Sequence, residues 1–158
     1  MVSDPEARFQ HLVEKVRQRG GRLTPQRVAI LRILAASKGH PSVEQIYEQI
    51  QDDFPTTGIA TIYKTVALLK EMGEVLELGF ADGSNRYDGN RPTPHPHLIC
   101  TRCGEIQDLD VPGLDEFLAQ ALVQISPETD YAIHSHRLDL YGVCQKCRAA
   151  GSRDSPAE

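Results

Sequence analysis

Cys100-x2-Cys103 and Cys144-x2-Cys147 account for all four cysteines of the chain, and forty residues separate the two pairs. A CxxC turn can aim both of its sulfurs at one point, and Zn2+ is well served by four thiolates at about 2.3 Å. Gly104, directly after the first pair, suits such a turn. Two other uses of these residues compete. A redox-active CxxC of the thioredoxin kind needs one pair at a strand-to-helix junction, whereas both pairs here are expected at strand ends. Four ordinary buried thiols leave the paired spacing unexplained. The pattern therefore favours a closed, four-thiolate zinc site that staples the fold and does no chemistry of its own.

Just before the first pair stand His95 and His97. On a strand, residues two apart share a face, so two such rings can converge on one ion. Three more candidates lie in polar settings: His40 in Gly39-His40-Pro41, Asp88 in Asn85-Arg86-Tyr87-Asp88, and Asp108 after the CxxC turn. Three imidazoles and two carboxylates would form a nitrogen and oxygen site without sulfur, which suits Fe2+ or Mn2+. Spacing alone does not select His40 and Asp88, which are far from the rest in sequence.

The elements that must position these groups are legible in outline. Residues 6–19 read as a polar, amphipathic helix. Thr24-Pro25 pairs an N-cap with a first-turn proline, and Val28, Leu31, Leu34 and Ala35 follow at helical spacing. Ser42 with Gln45 makes a capping box, and Val43, Ile46, Tyr47 and Ile50 give that helix its apolar face. A fourth helical pattern runs from Gly58 to Met72. Ile59, Ile62, Val66 and Leu69 lie inward on it, Thr61, Lys64 and Thr65 point elsewhere, and Gly73 ends it. Val75–Phe80 and Asn85–Asp88 read as a hairpin around Asp82-Gly83. Four helices and a two-stranded ribbon describe a winged helix-turn-helix, whose last helix before the wing would read the major groove.

Residues 90–96 hold three prolines and read as a linker. Beyond it, His97–Thr101 and Glu105–Asp110 read as strands, Pro112–Ile125 as a helix with Leu114, Phe117, Leu118, Ala121, Leu122 and Ile125 on its apolar side, and Tyr131–Tyr141 as a strand. The expected class is α+β. A winged-helix DNA-binding domain spans 1–89, a linker 90–94, a small α/β dimerisation and zinc domain 95–150, and a disordered tail 151–158.

Composition sets bounds on function. The chain has 158 residues and a formal net charge of −5, which taken alone argues against nucleic acid. The distribution argues otherwise: from Arg8 to Lys38 there are eight Lys or Arg and one acid, Glu14, whereas residues 89–158 carry six basic and ten acidic side chains. Phosphate affinity follows the local field. No apolar run approaches the roughly 20 residues that span a bilayer. The N-terminus has no apolar signal region, so a cytoplasmic chain with no membrane partner is expected.

Several stretches together resemble the ferric uptake regulator (Fur) family, and within it the peroxide-stress repressors. They are Arg22-Leu23-Thr24-Pro25-Gln26-Arg27, Gly39-His40-Pro41, Ala60-Thr61-Ile62-Tyr63, Arg86-Tyr87-Asp88, the segment His95–Gly104, Tyr141-Gly142-Val143-Cys144 and the final CxxC. The resemblance covers about residues 8–148. It implies a homodimeric repressor that binds double-stranded DNA at an A·T-rich palindrome and takes no small-molecule substrate. The four cysteines match the family's structural zinc site. His40, Asp88, His95, His97 and Asp108 match its regulatory Fe2+ or Mn2+ site, whose metal draws the two domains into a closed shape. Asp at 88 argues against a zinc sensor. Asp rather than Glu at 108 favours the peroxide branch, in which His40 and His95 would be the oxidation-sensitive ligands. The alternative within the family is an Fe2+-responsive iron-uptake repressor.

For DNA, Tyr63 would pack on a thymine methyl, Thr61 and Lys64 would reach phosphates or base edges, and Arg22 matches a minor-groove contact. Lys15, Arg17 and Arg19 would add a diffuse field. An extra metal site of some relatives falls here on Pro94 and Pro96, which offer no ligand, and His136 and Asp115 are too few to replace it. A hydrolase or oxygenase built on the His/Asp set would lack a nucleophile or an acid–base pair, so no enzyme is expected.

Overall fold

The computed structural model describes residues 4–80 and 83–151. The chain divides into two compact units, Met1–Thr93 and Pro94–Glu158. Among the described residues, no helix is long and apolar enough to cross a membrane.

The first unit is built from four helices and a ribbon: α1 (Pro5–Gln18), α2 (Pro25–Ala36), α3 (Val43–Gln51), α4 (Ile59–Glu71), β1 (Leu76–Gly79) and β2 (Asn85–Asp88). The starts follow local chemistry. The Asp4 carboxylate accepts from the Ala7 N–H and Thr24 Oγ1 from the Arg27 N–H, each before a first-turn proline. Ser42 and Gln45 bond each other's backbone reciprocally, at 3.2 and 2.9 Å. Gly73, at φ +69°, ends α4 in the left-handed region that glycine adopts freely. One core joins the helices: Leu12 and Val16 of α1, Ile30, Leu31 and Leu34 of α2, Ile46 of α3, and Ile62 and Leu69 of α4 are fully buried.

On α4 the inward face is shifted from the expected one. Thr65 is fully buried and Ile59 is exposed, so the face runs Ile62, Thr65, Val66, Leu69. Thr65 is tolerated because its hydroxyl donates to the Thr61 carbonyl at 2.8 Å. β1 and β2 pair antiparallel from Leu76↔Asp88 to Gly79↔Asn85. Asp82 of the expected turn lies outside the described residues. Gly83, at φ +80°, donates to the Phe80 carbonyl at 3.0 Å.

The basic segment is partly neutralised by its own fold. Arg8 is buried, with Nη1 on Glu74 Oε2 at 2.8 Å, Nη2 on the Glu74 carbonyl and Nε on the Gly89 carbonyl, both at 2.7 Å. Lys15 faces Glu74, Arg19 pairs with Glu71, and Arg32 pairs with Glu6 and lies over the Phe9 ring. Burial pushes the Glu74 carboxyl up, but hydrogen bonds from Arg8 and His11 outweigh it and hold the group below the usual range. The diffuse field expected of Lys15 and Arg19 is therefore reduced, because each faces a carboxylate of its own unit.

The second unit contains β3 (His97–Cys100), β4 (Ile106–Asp108), α5 (Leu114–Thr129), β5 (Asp139–Gly142) and α6 (Gln145–Gly151). Its sheet runs β4-β3-β5, antiparallel on one side of β3 and parallel on the other. Three expectations are corrected. The strand expected over 131–141 covers only Asp139–Gly142, because β3 offers a partner edge just four residues long. The helix expected to stop at Ile125 continues through Pro127 to Thr129 and ends at Asp130, at φ 53°. Gly151, the first residue of the expected disordered tail, is instead the last residue of α6, and 152–158 lie outside the described residues. The expected linker is also tied at its start, since Asn90 Nδ2 donates to the Ala35 carbonyl at 2.7 Å.

Candidate metal centres and nucleic-acid interface

The cysteines come from two turns of the second unit. Cys100 ends β3 and Cys103 follows in a turn that Gly104, at φ +71°, closes by donating to the Cys100 carbonyl at 3.0 Å. Cys144 follows β5, and Cys147 sits on α6. The second pair thus occupies a strand-to-helix junction, the setting of a redox CxxC, and not the plain strand end expected. Convergence distinguishes these cysteines from a redox pair: each of the four sulfurs lies within 4.8 Å of the others.

Cys103 and Cys144 Sγ are 3.8 Å apart, close to the edge of a tetrahedron with bonds of about 2.3 Å. All four are free cysteines. Backbone N–H groups, first that of Cys144, lower the Cys100 thiol to about 6, while the sulfurs of Cys103 and Cys144 push Cys147 up to about 12. Four thiols this close resist ionising together without a central cation, and a soft divalent ion resolves the conflict.

The His/Asp candidates fall into two groups, one in each unit. In the first unit, Asp88 ends β2, and its Oδ1 accepts from the Asn90 and Arg91 N–H groups at 2.8 Å each. Its Oδ2 lies 3.3 Å from His40 Nε2, with both side chains buried. His40 takes a left-handed φ of 50°, uncommon for a residue with a side chain. It is held there from β2: Arg86 donates to the His40 carbonyl at 2.5 Å and to the Gly39 carbonyl at 3.0 Å, and the Tyr87 N–H donates to the Pro41 carbonyl. Arg86 was identified in the sequence only as part of a motif, and its clamp on the His40 loop had no local signal.

In the second unit, His95 precedes β3 instead of lying on it, yet its ring centroid is 4.4 Å from that of His97. His95 Nε2 lies 3.0 Å from Asp108 Oδ1, and His97 Nε2 lies 3.9 Å from the same oxygen. Strand register places Asp108 opposite His97. Both rings are buried. These nitrogen and carboxylate donors, with no sulfur among them, fit Fe2+ or Mn2+. His136 and Asp115 are exposed.

The nucleic-acid candidates lie on the first unit. Tyr63 and Lys64 are exposed on α4, Thr61 is half-buried near its start, and Arg22 is exposed ahead of α2. Tyr63 is 50% exposed, and its hydroxyl donates to Glu44 Oε1 at 3.1 Å, which pushes the phenol up. Glu44, on α3, is a neighbour nineteen residues away that no local pattern marks. On the second unit, Phe117, Val123, Tyr131 and Tyr141 are exposed at 65, 73, 75 and 62%, a large apolar surface for one chain.

A four-helix winged unit and a sheet unit with a four-cysteine cluster and buried His/Asp groups have the build of a metal-binding transcriptional regulator. The model of the ferric uptake regulator family matches residues 18–141, and the chain belongs to that family. It is 41% identical over 149 residues to the peroxide-responsive repressor PerR of Staphylococcus aureus, covering 93% of this chain and 96% of the relative. Among solved structures it resembles the Helicobacter pylori ferric uptake regulator Fur (TM-score 0.73, 21% identity, 93% of this chain and 95% of the other). It also resembles a zinc-bound manganese uptake regulator (TM-score 0.64, 34% identity, 84% and 98%).

Proposed function

We propose that this chain is a cytoplasmic, homodimeric, metal-dependent repressor that releases its DNA in response to peroxide. Cys100, Cys103, Cys144 and Cys147 hold a structural zinc ion. His40, Asp88, His95, His97 and Asp108 together hold one regulatory Fe2+ or Mn2+. The observation that carries the reading is the sulfur-free donor set: a buried His40–Asp88 pair in one unit and His95, His97 and Asp108 in the other. Similarity to a peroxide-responsive repressor along nearly the whole chain supports it.

Within the first unit, Tyr63, Thr61 and Lys64 of α4 meet the major groove, and Arg22 meets the minor groove of A·T-rich DNA. The exposed apolar residues of α5 and of 131–141 pair two copies, and a two-fold dimer calls for a palindromic operator. The residues divide the sensing chemistry. The carboxylates of Asp88 and Asp108 supply negative charge, and the imidazoles of His40, His95 and His97 supply nitrogen donors. Ferrous iron, when bound, would supply the redox chemistry that opens the O–O bond of hydrogen peroxide. The net change falls on the chain's own residue: the ring of His40 or His95 would give up two electrons and take one peroxide oxygen, and the other oxygen would leave as water, with the iron unchanged overall. A ring so oxidised is a poor ligand, and the operator is released.

The test is fluorescence anisotropy of a labelled A·T-rich palindrome. Zinc-containing protein is loaded anaerobically with Fe2+ or Mn2+ and treated with a small excess of H2O2. Release from the Fe2+ form alone, irreversible by fresh metal, with the mass of one oxygen atom added to a peptide holding His40 or His95, is the expected result. Recovery with fresh Fe2+ would overturn the peroxide mechanism and leave an Fe2+-responsive iron-uptake repressor.

A further inference from the structure

His97 stands on the central strand of its sheet with a carboxylate on each side. In the ladder it pairs with Asp108 of β4 and, on the other edge, with Asp139 of β5. Paired residues point to the same face, and the ring separates the two acids. Nε2 faces Asp108 Oδ1 at 3.9 Å, and Nδ1 faces Asp139 Oδ1 at 3.5 Å. The ring is 1% exposed, and the Asp139 side chain 10%. Asp139 is held in turn: its Oδ2 takes Arg137 Nη2 at 2.6 Å, and the Tyr141 hydroxyl lies 3.5 Å from the same oxygen.

The geometry points to Asp139 as a positioning residue for His97, fixing the tautomer in which Nδ1 carries the proton and the Nε2 lone pair faces Asp108 and His95. A histidine ligand offers one nitrogen to its metal. The second nitrogen donates its N–H to an acceptor, which sets the ring's orientation and raises its basicity. Asp139 lies on the side of the ring away from Asp108, so it serves the ligand and does not join the ligand set. Arg137 keeps it in that role by taking its second oxygen and offsetting its charge. The sequence shows only an Arg-x-Asp on a late strand; the parallel register of β3 with β5 gives it this neighbour.

The inference rests on the reading of His97 as a regulatory ligand, and the experiment separates the two. Long-range 1H–15N correlation spectra of the zinc-containing protein, with no second metal added, report the His97 tautomer directly. At a pH where the ring is neutral, the Nδ1–H form is expected, and an Nε2–H form would overturn the inference without any variant being made. Mn2+ affinity is then measured for wild type, Asp139→Asn and His97→Gln, with zinc content and helical circular dichroism followed in each. Asp139→Asn keeps the shape but loses the charge. It is expected to bind Mn2+ about 10-fold more weakly with zinc unchanged. Wild-type affinity in Asp139→Asn together with lost affinity in His97→Gln would overturn the role of Asp139 alone. Unchanged affinity in His97→Gln would overturn the ligand reading beneath it.

Discussion

At the residue scale, the chain's chemistry depends on groups that are costly to place together. The four sulfurs are one case. Removing a single donor leaves three thiols that no longer satisfy a tetrahedral ion, so Cys100→Ser is expected to lose zinc and to lower the melting temperature of the second unit. Metal analysis and a thermal melt check this, and prolonged treatment of the wild type with a strong chelator should reproduce it.

Glu74 is the other case. Its folded pKa is depressed, so the stability it contributes is fully present above its unfolded value, near about 4.3. That stability is lost as pH falls through the folded value. Glu74→Gln should therefore melt lower than wild type at pH 7, and the difference should shrink as the pH is lowered below about 4. A set of melts across that window reads the sign directly. Equal differences at every pH would show that Arg8 gains nothing from the ionised carboxylate.

At the element scale, caps and close approaches set where the helices and the wing begin and end. The Ser42–Gln45 capping box starts α3 just after His40 and Pro41. Ser42→Ala is expected to cost about 1 kcal/mol in a denaturant melt. Gly89 follows Asp88 directly, and a Cβ there would sit 2.7 Å from Leu34 Cβ and 3.0 Å from the Leu34 carbonyl oxygen. Both neighbours belong to a buried helix that cannot yield, so Gly89→Ala should destabilise the first unit by about 1–3 kcal/mol. It should also weaken Mn2+ binding, because the Asp88 turn has to shift with it. Chemical denaturation gives the first number, and a metal titration of the refolded variant gives the second result. These two positions differ in legibility. Ser-x-x-Gln before an apolar run announces a capping box, whereas nothing near Gly89 in sequence announces Leu34, which is a contact across the unit.

At the scale of the whole molecule, the proposed operator complex should respond to salt less steeply than the basic count of residues 8–38 suggests, since Arg8, Lys15, Arg19 and Arg32 already face carboxylates. Anisotropy titrations at several salt concentrations give the slope, with about 0.9 of a unit expected per phosphate contact in duplex DNA. The sequence by itself determined the helix starts of the first unit, the wing strands, the paired cysteines and the histidine pair. Each rests on interactions within a few residues or on a simple period. Tertiary structure decided the rest. Burial of Thr65 in place of Ile59 depends on which face of α4 the core covers. Shortening of β5 depends on the length of its partner strand. The second CxxC meets a helix because the chain turns there to bring its sulfurs to the first pair. Arg86 reaches the His40 loop and Asp139 reaches His97 only through contacts between residues more than forty positions apart, which no local pattern encodes.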